Sequence, residues 1–354
     1  MGKTLAPKVL GLSVGHIEKS VLIVTNSISG GGAEISMLRL FRTLKTLGVK
    51  VNLCVINEQI SEGIANEGVT AMGRQWSSGA TSTIRALLRF RRYLMFNRPQ
   101  IVVMNCELPE LFTAIATPRK IRLIAVEHTS KPWYRRRFLG FIVRHWLRVR
   151  GCSWVTVSRE RPPVWPSNLP PRFIPNTHLP EDAKVKNLSP SDLVFVGRLN
   201  YEKHPEIAAR AAVMAGCTLK IFGDGPDYEK IKKSSPPSLV KLLGFIENPW
   251  SQISSESILI VPSEFEGDGM IVVEAISNNN PVLLADNSDL RRFKFPERNY
   301  FVDTSDLVSK ILAAKKLGIG ELRINKNQRD IILQERNAST VARQWIHLFN
   351  EELD

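Results

Sequence analysis

The chain has 354 residues and a formal net charge of +14, and its composition excludes several classes of protein. With 43% hydrophobic and 23% charged residues and no low-complexity segment, it is not a disordered chain. No run of about 18 apolar residues occurs, which excludes a helix that spans a membrane. Four widely spaced cysteines argue against a zinc site or a disulfide framework. We expect a globular protein of two domains, since single domains rarely exceed about 250–300 residues.

The positive charge lies in one half of the chain. Residues 1–180 contain 26 Lys and Arg against 9 Asp and Glu, whereas residues 181–354 contain 22 against 25. This imbalance suggests that the first half faces an anionic partner. The amino-terminal residues lack the apolar core and the cleavage site of a secretion signal, so we expect a cytoplasmic protein.

Apolar strands and amphipathic helices alternate along the first half. Val21–Val24 is typical of a buried parallel strand, and a glycine loop follows it. Apolar residues about three apart from Ile35 to Leu47 then predict a helix, and Val49–Ile56 predicts a second strand. This order opens a doubly wound α/β sheet. We expect it to continue through one helix and three strands at Thr83–Phe96, Ile101–Met104, Leu123–Val126 and Trp154–Val157.

A proline-rich stretch separates two such series. Prolines resist both helices and central strands, so residues 173–190 are predicted to link two domains. We expect a Rossmann-like N-terminal domain over residues 1–172 and a second over residues 191–334, with a last helix near 335–354 that can pack back on the first. The second series has predicted strands at Leu193–Val196, Thr218–Phe222, Val240–Gly244, Ile258–Val261 and Val282–Ala285, and predicted helices at Pro205–Ala215, Asp227–Lys233, Met270–Ser277 and Ile331–Phe349.

Candidate binding residues cluster where predicted strands end, which is where open α/β sheets bind ligands. Gly31 and Gly32 open the first helix, where backbone can approach a phosphate closely. Arg198 follows a strand, and Lys203 follows it by five residues, a pair of cations suited to a diphosphate. His128 ends another strand and can donate to a sugar hydroxyl or a phosphate. Each feature alone is also compatible with a plain turn or solvated charge.

Two glutamates eight residues apart form the strongest motif. Glu266 lies in the loop after a strand and Glu274 near the start of the next helix, so both can face one cleft, where carboxylates accept hydrogen bonds from hydroxyls of a sugar or ribose. The glycine turn at Gly223, Asp224 and Gly225 is equally compatible with a ligand contact and with a structural turn. The residues between the glutamates complete this wall, namely Gly267, Asp268, Gly269, Met270 and Ile271.

Taken together, these segments resemble the retaining GT-B glycosyltransferases of family 4, of the bacterial surface-polysaccharide type. The resemblance spans most of the chain and is specific as an ensemble. It implies two Rossmann-like domains that face a central cleft, with transfer of a hexose from a UDP- or GDP-sugar to a saccharide or lipid-linked acceptor, with retention and without a metal or cofactor. The motifs that carry it are Gly31–Glu34, Pro175-Asn176, Gly197–Lys203, Gly223–Pro226, Ser263–Gly269 and Glu274-Ala275.

The resemblance also implies a role for each matched position. Arg198 and Lys203 would hold the diphosphate of the donor and stabilise the leaving nucleotide. Glu274 would bind the ribose hydroxyls, and Glu266 the hydroxyls of the transferred sugar. His128 and the backbone at Gly31 and Gly32 would contact the sugar or phosphate from the opposite domain.

Two departures from the family pattern concern the sugar pocket. Asp268 stands where the family usually has an aromatic residue. The polar segment at residues 286–289 replaces a glycine-rich loop, which leaves the contacts to the donor sugar and phosphates undetermined.

Residues 131–150 form a basic, aromatic-rich segment with no acidic residue, and Arg85, Arg89, Arg91, Arg92 and Arg98 add to the same half. Such a segment is typical of a helix that lies on an anionic bilayer. Because the resemblance assigns the acceptor to this half, we expect a polyprenyl-diphosphate-linked saccharide or a lipid head group at the inner membrane face. The residues assigned to this surface are Trp133, Arg135, Arg136, Arg137 and Arg144.

Other interpretations remain open at this point. The basic segment is also compatible with a charged exterior whose aromatic residues lie in the core, or with binding of nucleic acid, although no nucleic-acid motif occurs. A UDP-sugar 2-epimerase would share the two-domain architecture without transferring a sugar. A scaffold without catalysis would show no dependence of nucleotide affinity on Arg198.

Overall fold

The chain folds into two halves, each built on a parallel sheet. The computed structural model describes residues 20–28, 31–57, 65–75, 80–128, 132–133, 136–158, 171–178, 192–246 and 248–353. Within these ranges, no helix combines the length and the apolar character needed to cross a bilayer.

The first half contains a seven-stranded sheet. Its strands are β1 (Val21–Thr25), β2 (Val51–Val55), β3 (Val69–Ala71), β4 (Ile101–Asn105), β5 (Arg122–Glu127), β6 (Ser153–Thr156) and β7 (Arg172–Phe173). All neighbouring strands are parallel, in the order β3-β2-β1-β4-β5-β6-β7. Its helices are α1 (Gly32–Thr46), α2 (Ala80–Asn97), α3 (Glu107–Ala116) and α4 (Arg137–Val149). Every residue of β1 and β4 is buried, as expected for parallel strands covered on both faces.

The second half contains a six-stranded sheet. Its strands are β8 (Leu193–Val196), β9 (Leu219–Phe222), β10 (Val240–Leu242), β11 (Ile258–Val261), β12 (Val282–Ala285) and β13 (Tyr300–Phe301), in the parallel order β10-β9-β8-β11-β12-β13. Its helices are α5 (Pro205–Met214), α6 (Tyr228–Ser234), α7 (Met270–Ser277), α8 (Ser288–Arg291), α9 (Thr304–Leu317) and α10 (Lys326–Glu335). The predicted fold class, two doubly wound α/β domains, is confirmed.

The last helix, α11 (Ala338–Glu351), packs on the first half of the molecule rather than on the second. Trp345 and Phe349 are almost fully buried and share a core with Phe41 of α1 and with β1. The opposite face of the N-terminal sheet is covered by α2, α3 and α4, through Phe90, Phe112 and similar residues. The C-terminal residues therefore complete the N-terminal core.

The structure differs from the predicted elements at several places. The single helix predicted over Ile331–Phe349 is wrong, because α10 ends at Glu335 and the side chain of Asn337 caps α11 by accepting the N–H of Ser339 at 3.0 Å. A short run within the proline-rich stretch forms β7. Residues 174–178 of the predicted linker are described without a helix or strand, and residues 179–190 lie outside the described residues. The predictions also missed β3, α3, α8, β13 and α9.

Candidate active site

Loops from the two halves meet at the carboxyl ends of the two sheets. His128 follows β5, and Gly267 lies in the loop after β11. A Cβ on Gly267 would lie 1.9 Å from the carbonyl oxygen of His128, far inside van der Waals contact. Glycine at position 267 thus lets the two halves touch backbone to backbone. The cleft between the halves lies at the edge where parallel sheets bind their ligands.

Lys203 and Glu266 meet in this cleft. Lys203 lies in the turn between β8 and α5, where its N–H donates to the side-chain oxygen of Asn200 at 3.2 Å. Its Nζ lies 2.5 Å from Oε1 of Glu266, whose side chain is 8% exposed. Two residues predicted from separate motifs are therefore brought together as one charge-assisted hydrogen bond.

The polar segment after β12 holds the backbone of Glu266 in place. The side chain of Asn287 caps α8 by accepting the N–H of Leu290 at 3.0 Å. Asp289 within that helix is buried, and its Oδ2 accepts the N–H of Glu266 at 2.9 Å. The segment that departs from a glycine-rich loop therefore supplies the carboxylate that fixes the Glu266 loop.

Arg198 reaches across the cleft toward the glycine loop of the first half. It follows β8 and is exposed. Its Nη2 lies 3.5 Å from the place that a Cβ on Gly31 would take, and the corresponding space beside Gly32 is open. Gly31 is held by Glu34, which accepts its N–H at 3.1 Å. A guanidinium and the positive end of α1 thus face one space, an arrangement suited to an anion.

Glu274 lies on α7 and has partners in both halves. Its Oε1 lies 3.4 Å from Nη1 of Arg39 on α1, and its Oε2 accepts from Nε1 of Trp250 at 3.0 Å. Its side chain remains 20% exposed. Arg39 and Trp250 therefore orient the carboxylate of Glu274, the residue predicted to bind the ribose. Both are candidate site residues that the sequence motifs did not include.

The glycine turn after β9 has a structural reason for both of its glycines. Gly223 and Gly225 have φ values of +152° and +156°. A Cβ on Gly223 would lie 1.9 Å from the carbonyl oxygen of Gly197, and a Cβ on Gly225 would lie 2.3 Å from that of Leu199. Asp224 between them is exposed, and its Oδ1 accepts the N–H of Gly225 at 2.7 Å. The turn therefore lets β9 pack against the loop that carries Arg198.

Asp268 does not present its carboxylate to the cleft. Its side chain is 1% exposed; Oδ1 lies 2.8 Å from Nη2 of Arg336, and Oδ2 accepts the N–H of Asn176 at 2.9 Å. Asp268, predicted as part of the donor-binding wall, therefore offers no carboxylate oxygen to the cleft, because both oxygens already hold buried donors.

The next three residues place α7 against the core. Gly269 has a left-handed φ of +65°, and a Cβ there would lie 2.9 Å from the ring of Phe293. Met270 and Ile271 are half-buried, and their side chains pack against the C-terminal core. Both side chains thus help to anchor the start of α7, and their contact with the donor stays a prediction.

His128 lies in the cleft with a neutral ring. Burial lowers the pKa of its imidazole to about 4. Its Nε2 is buried, and no hydrogen-bond partner for it occurs among the described residues. At neutral pH the ring can donate or accept one hydrogen bond on this side without carrying charge. Within the same described ranges, no group of three His, Cys, Asp or Glu side chains is arranged to hold a metal ion.

Two family models match the chain, one in each half. Residues 30–160 match the model described as Glycosyltransferase Family 4, and residues 181–329 match that described as Glycosyl transferases group 1. The matched ranges carry His128 on one side of the cleft, and Arg198 and Glu266 on the other. Both halves of the chain match glycosyltransferase models, and the chain is a glycosyltransferase.

Two curated relatives of this glycosyltransferase match shorter stretches. The poly(glycerol-phosphate) alpha-glucosyltransferase of Bacillus subtilis is 35% identical over 127 residues, which cover 32% of this chain and 19% of the relative. The poly(ribitol-phosphate) alpha-N-acetylglucosaminyltransferase of Staphylococcus aureus is 22% identical over 141 residues, which cover 37% of this chain and 28% of the relative. The matches thus span less than a third of either relative.

Solved structures resemble this glycosyltransferase over nearly its whole length. Anabaena HepE in complex with UDP and glucose has a TM-score of 0.73 at 14% identity, over 93% of this chain and 99% of that one. Sucrose-phosphate synthase from Thermosynechococcus elongatus has a TM-score of 0.74 at 16% identity, with 94% and 99% covered. TarM has a TM-score of 0.72 at 11% identity, with 96% and 100% covered. At these identities the likeness shows the fold, and the predicted GT-B architecture is confirmed.

Two of the residues assigned to a membrane surface lie inside the glycosyltransferase. Arg144 is buried, with Nη2 3.0 Å from Oε1 of Glu110 and a second hydrogen bond to Glu127. Trp133 is also buried, and its Nε1 donates to Oε2 of Glu110 at 2.7 Å. Both assignments are wrong. Glu110 and Glu127 neutralise Arg144 inside the N-terminal half, and Trp133 is held there by the same Glu110.

The other residues assigned to that surface have different positions. Arg136 and Arg137 are exposed at the start of α4. Arg135 lies outside the described residues.

Proposed function

We propose that this glycosyltransferase moves a hexose from a UDP-sugar, or less readily a GDP-sugar, to a cell-surface polymer or its lipid-linked precursor, with retention of configuration. The observation that carries the proposal is the convergence in one cleft of Lys203 and Glu266 from the C-terminal half with His128 and the Gly31 loop from the N-terminal half. Cations suit a diphosphate, and a carboxylate with a neutral imidazole suits sugar hydroxyls.

The proposed chemistry uses fixed positive charge at the leaving group. Arg198 and Lys203 hold the two phosphates and stabilise the negative charge that develops when the bond to the sugar breaks. Lys203 is held by Glu266 at 2.5 Å, so donor binding places a phosphate and a sugar hydroxyl on either side of this pair. Side chains then supply the electrostatic stabilisation, and the proposal requires no metal or cofactor.

The proposed acceptor class rests on the curated relatives. Their names describe transfer to polymers of glycerol phosphate and ribitol phosphate, and both describe alpha linkages. Transfer with retention from an α-linked nucleotide sugar gives an alpha linkage. We therefore infer that the acceptor is a polyol-phosphate or related saccharide polymer, either free or attached to a polyprenyl diphosphate.

A second surface supports placing the enzyme at the inner face of the cell membrane. The outward faces of α2 and α4 carry large apolar side chains and arginines, and neither helix contains an acidic residue. Such faces bury apolar side chains among acyl chains while the arginines contact anionic head groups. This membrane face is formed by the exposed residues Ile84, Arg85, Leu88, Arg91, Arg92, Met95, Phe96, Arg137, Phe138, Phe141, Ile142, Arg148 and Val149.

The test of the proposed function starts from donor binding. A thermal-shift screen of UDP-, GDP- and ADP-sugars should show the largest stabilisation with one UDP-sugar, and Arg198→Ala should remove it. With that donor, a polyol-phosphate polymer should be glycosylated, and the anomeric signal of the product in nuclear magnetic resonance should match that of the donor. If the donor is isomerised or hydrolysed at the same rate with and without acceptor, the assignment as a transferase is wrong.

A further inference from the structure

The chain crosses between the two halves at two places that lie side by side. One crossing is formed by Asn176–His178, and the other by Arg336 and Asn337 between α10 and α11. The N–H of His178 donates to the carbonyl oxygen of Arg336 at 2.8 Å, and His178 pairs with Asn337 as a parallel bridge. The two connecting segments are therefore held to each other by backbone hydrogen bonding.

Asp268 joins both crossings to the loop that carries Glu266. Its Oδ2 accepts the N–H of Asn176 at 2.9 Å, and its Oδ1 lies 2.8 Å from Nη2 of Arg336. The side chains of Asp268 and Arg336 are 1% and 6% exposed. Burial by itself would disfavour a carboxylate at this place, so the arrangement depends on both donors being present.

The network continues into the first half through Asn176. Its Oδ1 accepts a hydrogen bond from Oγ of Ser36 at 2.7 Å, and Ser36 lies in the first turns of α1, the helix that begins at the Gly31 loop. On the other side, the neighbour of Asp268, Gly267, touches the backbone of His128. One buried carboxylate is thus linked to α1, to the loop of Glu266 and, through its neighbour Gly267, to His128.

We propose that Asp268 is a positioning residue. It fixes the distance between Glu266 and the part of the cleft formed by His128 and the start of α1, so that the donor sugar is presented to the acceptor in one geometry. This inference rests on the proposed function. In the bound complex Asp268 touches no substrate; it acts through the backbone of its loop and through the two crossings. Loss of its charge should therefore reduce turnover more than donor affinity.

The matched control is Asp192. Its carboxylate also accepts a backbone N–H, that of Thr218 at 2.8 Å, and also pairs with a cation, Lys315 at 3.2 Å. It lies before β8, at the amino end of the C-terminal sheet and away from the cleft. Asp268→Asn and Asp192→Asn are therefore the same chemical change in similar hydrogen-bond settings at opposite ends of one sheet.

The experiment compares these two variants with Arg336→Gln and with the double variant Asp268→Asn/Arg336→Gln in the full chain. Asp268→Asn should lower kcat by about 10–100-fold and change the donor KM less than about threefold, whereas Asp192→Asn should leave both near the wild-type values. The double variant should turn over no more slowly than the slower single variant, since both residues act as one unit.

Hydrogen exchange without substrate gives a readout that does not depend on activity. Asp268→Asn should raise the exchange rate of peptides that contain Asn176 and Asn337, whereas Asp192→Asn should not. Unchanged exchange, or raised exchange with an unchanged kcat, would overturn the positioning role. A wild-type protein without any transferase activity would instead overturn the proposed function, which keeps the two failures distinct.

Discussion

At the scale of single residues, the cleft depends on pairs whose members are far apart in the sequence. Lys203 and Glu266 were identified because each lies in a motif with its own spacing. Asp289, which holds the N–H of Glu266, and Arg39, which contacts Glu274, lie in no such motif. Their partners are 23 and 235 residues away. Only the folded chain brings such groups together, so the sequence predicted the charges that meet in the cleft but not the residues that orient them.

Substitution of either member of the central pair should remove catalysis without unfolding the protein. Lys203→Ala and Glu266→Ala should each lower kcat by about 100-fold or more, because each removes a charge that faces the reacting groups. Steady-state transfer from the preferred UDP-sugar measures the effect, and thermal unfolding measures the integrity of the fold. Turnover within about threefold of wild type in either variant would contradict the role given to that residue.

Gly267 gives a second prediction at this scale. A Cβ on Gly267 would overlap the carbonyl oxygen of His128, so Gly267→Ala must push the two halves apart. We expect a loss of turnover of about 100-fold from so small a change, since misplacement by about 1 Å is that costly. The matched control is Gly320→Ala, whose nearest neighbour would be the end of the Arg323 side chain at 4.0 Å. Full activity in Gly267→Ala would show that this backbone contact is not needed for the active state.

At the scale of secondary structure, elements with a clear pattern of apolar residues were predicted, and elements too short to show such a pattern were missed. β8 and β11 match their predicted bounds, because each is a continuous apolar run between glycine or polar loops. α7 also matches its predicted bounds, since it begins directly after Gly269. β7 and β13 have two residues each, too few to show any pattern. The break between α10 and α11 was missed because apolar residues continue at helical spacing on both sides of Arg336.

The face of α4 also shows where a pattern misleads. The basic and aromatic residues predicted an amphipathic surface helix, and α4 is one, but Arg144 lies on its inner side and Phe138 on its outer side. Composition cannot tell which basic residue has a buried partner. The acids Glu110 and Glu127 that neutralise Arg144 come from α3 and β5.

The exposed aromatic residues of α4 should determine binding to anionic vesicles. Phe138 and Phe141 are 78% and 66% exposed, so substitution of both by Ser should not disturb the core. Because burial of each large apolar side chain contributes about 1.5–3 kcal/mol, partition to vesicles of anionic phospholipid should fall by about 100-fold or more. Leu317→Ser, at a residue 73% exposed on α9, is the control and should partition like wild type.

Sedimentation of the protein with vesicles at several salt concentrations measures this effect. Wild-type partition should weaken as salt rises, because the arginines of the membrane face contribute through charge. Equal partition of the double Phe variant and the wild type would exclude α4 as the membrane contact. Binding to duplex DNA at the same salt concentration with greater affinity than to vesicles would favour a nucleic-acid partner instead.

At the scale of the whole molecule, two histidines near the contacts between the halves make stability depend on pH. Burial lowers the pKa of His128 to about 4; burial, with a smaller effect of Arg39 and Arg336, lowers that of His178 to about 4 as well. In the unfolded chain a histidine has a pKa near 6.5. The unfolded state therefore binds protons first as the pH falls, and stability from this source is complete above about pH 6.5 and is lost between about pH 6.5 and 4.

Chemical denaturation at a series of pH values measures this loss. The free energy of unfolding should decrease by up to about 3 kcal/mol per histidine across that interval. Both ring nitrogens of His178 are buried without a hydrogen-bond partner in the described part of the chain, so His178→Phe should keep the packing and flatten the slope. An identical slope in the variant and the wild type would contradict the assignment to His178.

The position of α11 has a consequence for how this protein is made and engineered. Its Trp345 and Phe349 belong to the core beneath β1, although the whole C-terminal half lies between them and β1 in the sequence. During translation the apolar surface of the first half therefore stays uncovered until residues 338–351 have left the ribosome. For the same reason, a chimera that exchanges N-terminal halves between relatives has to carry residues 338–353 with the N-terminal part; a single cut at the linker would leave both products with an incomplete core.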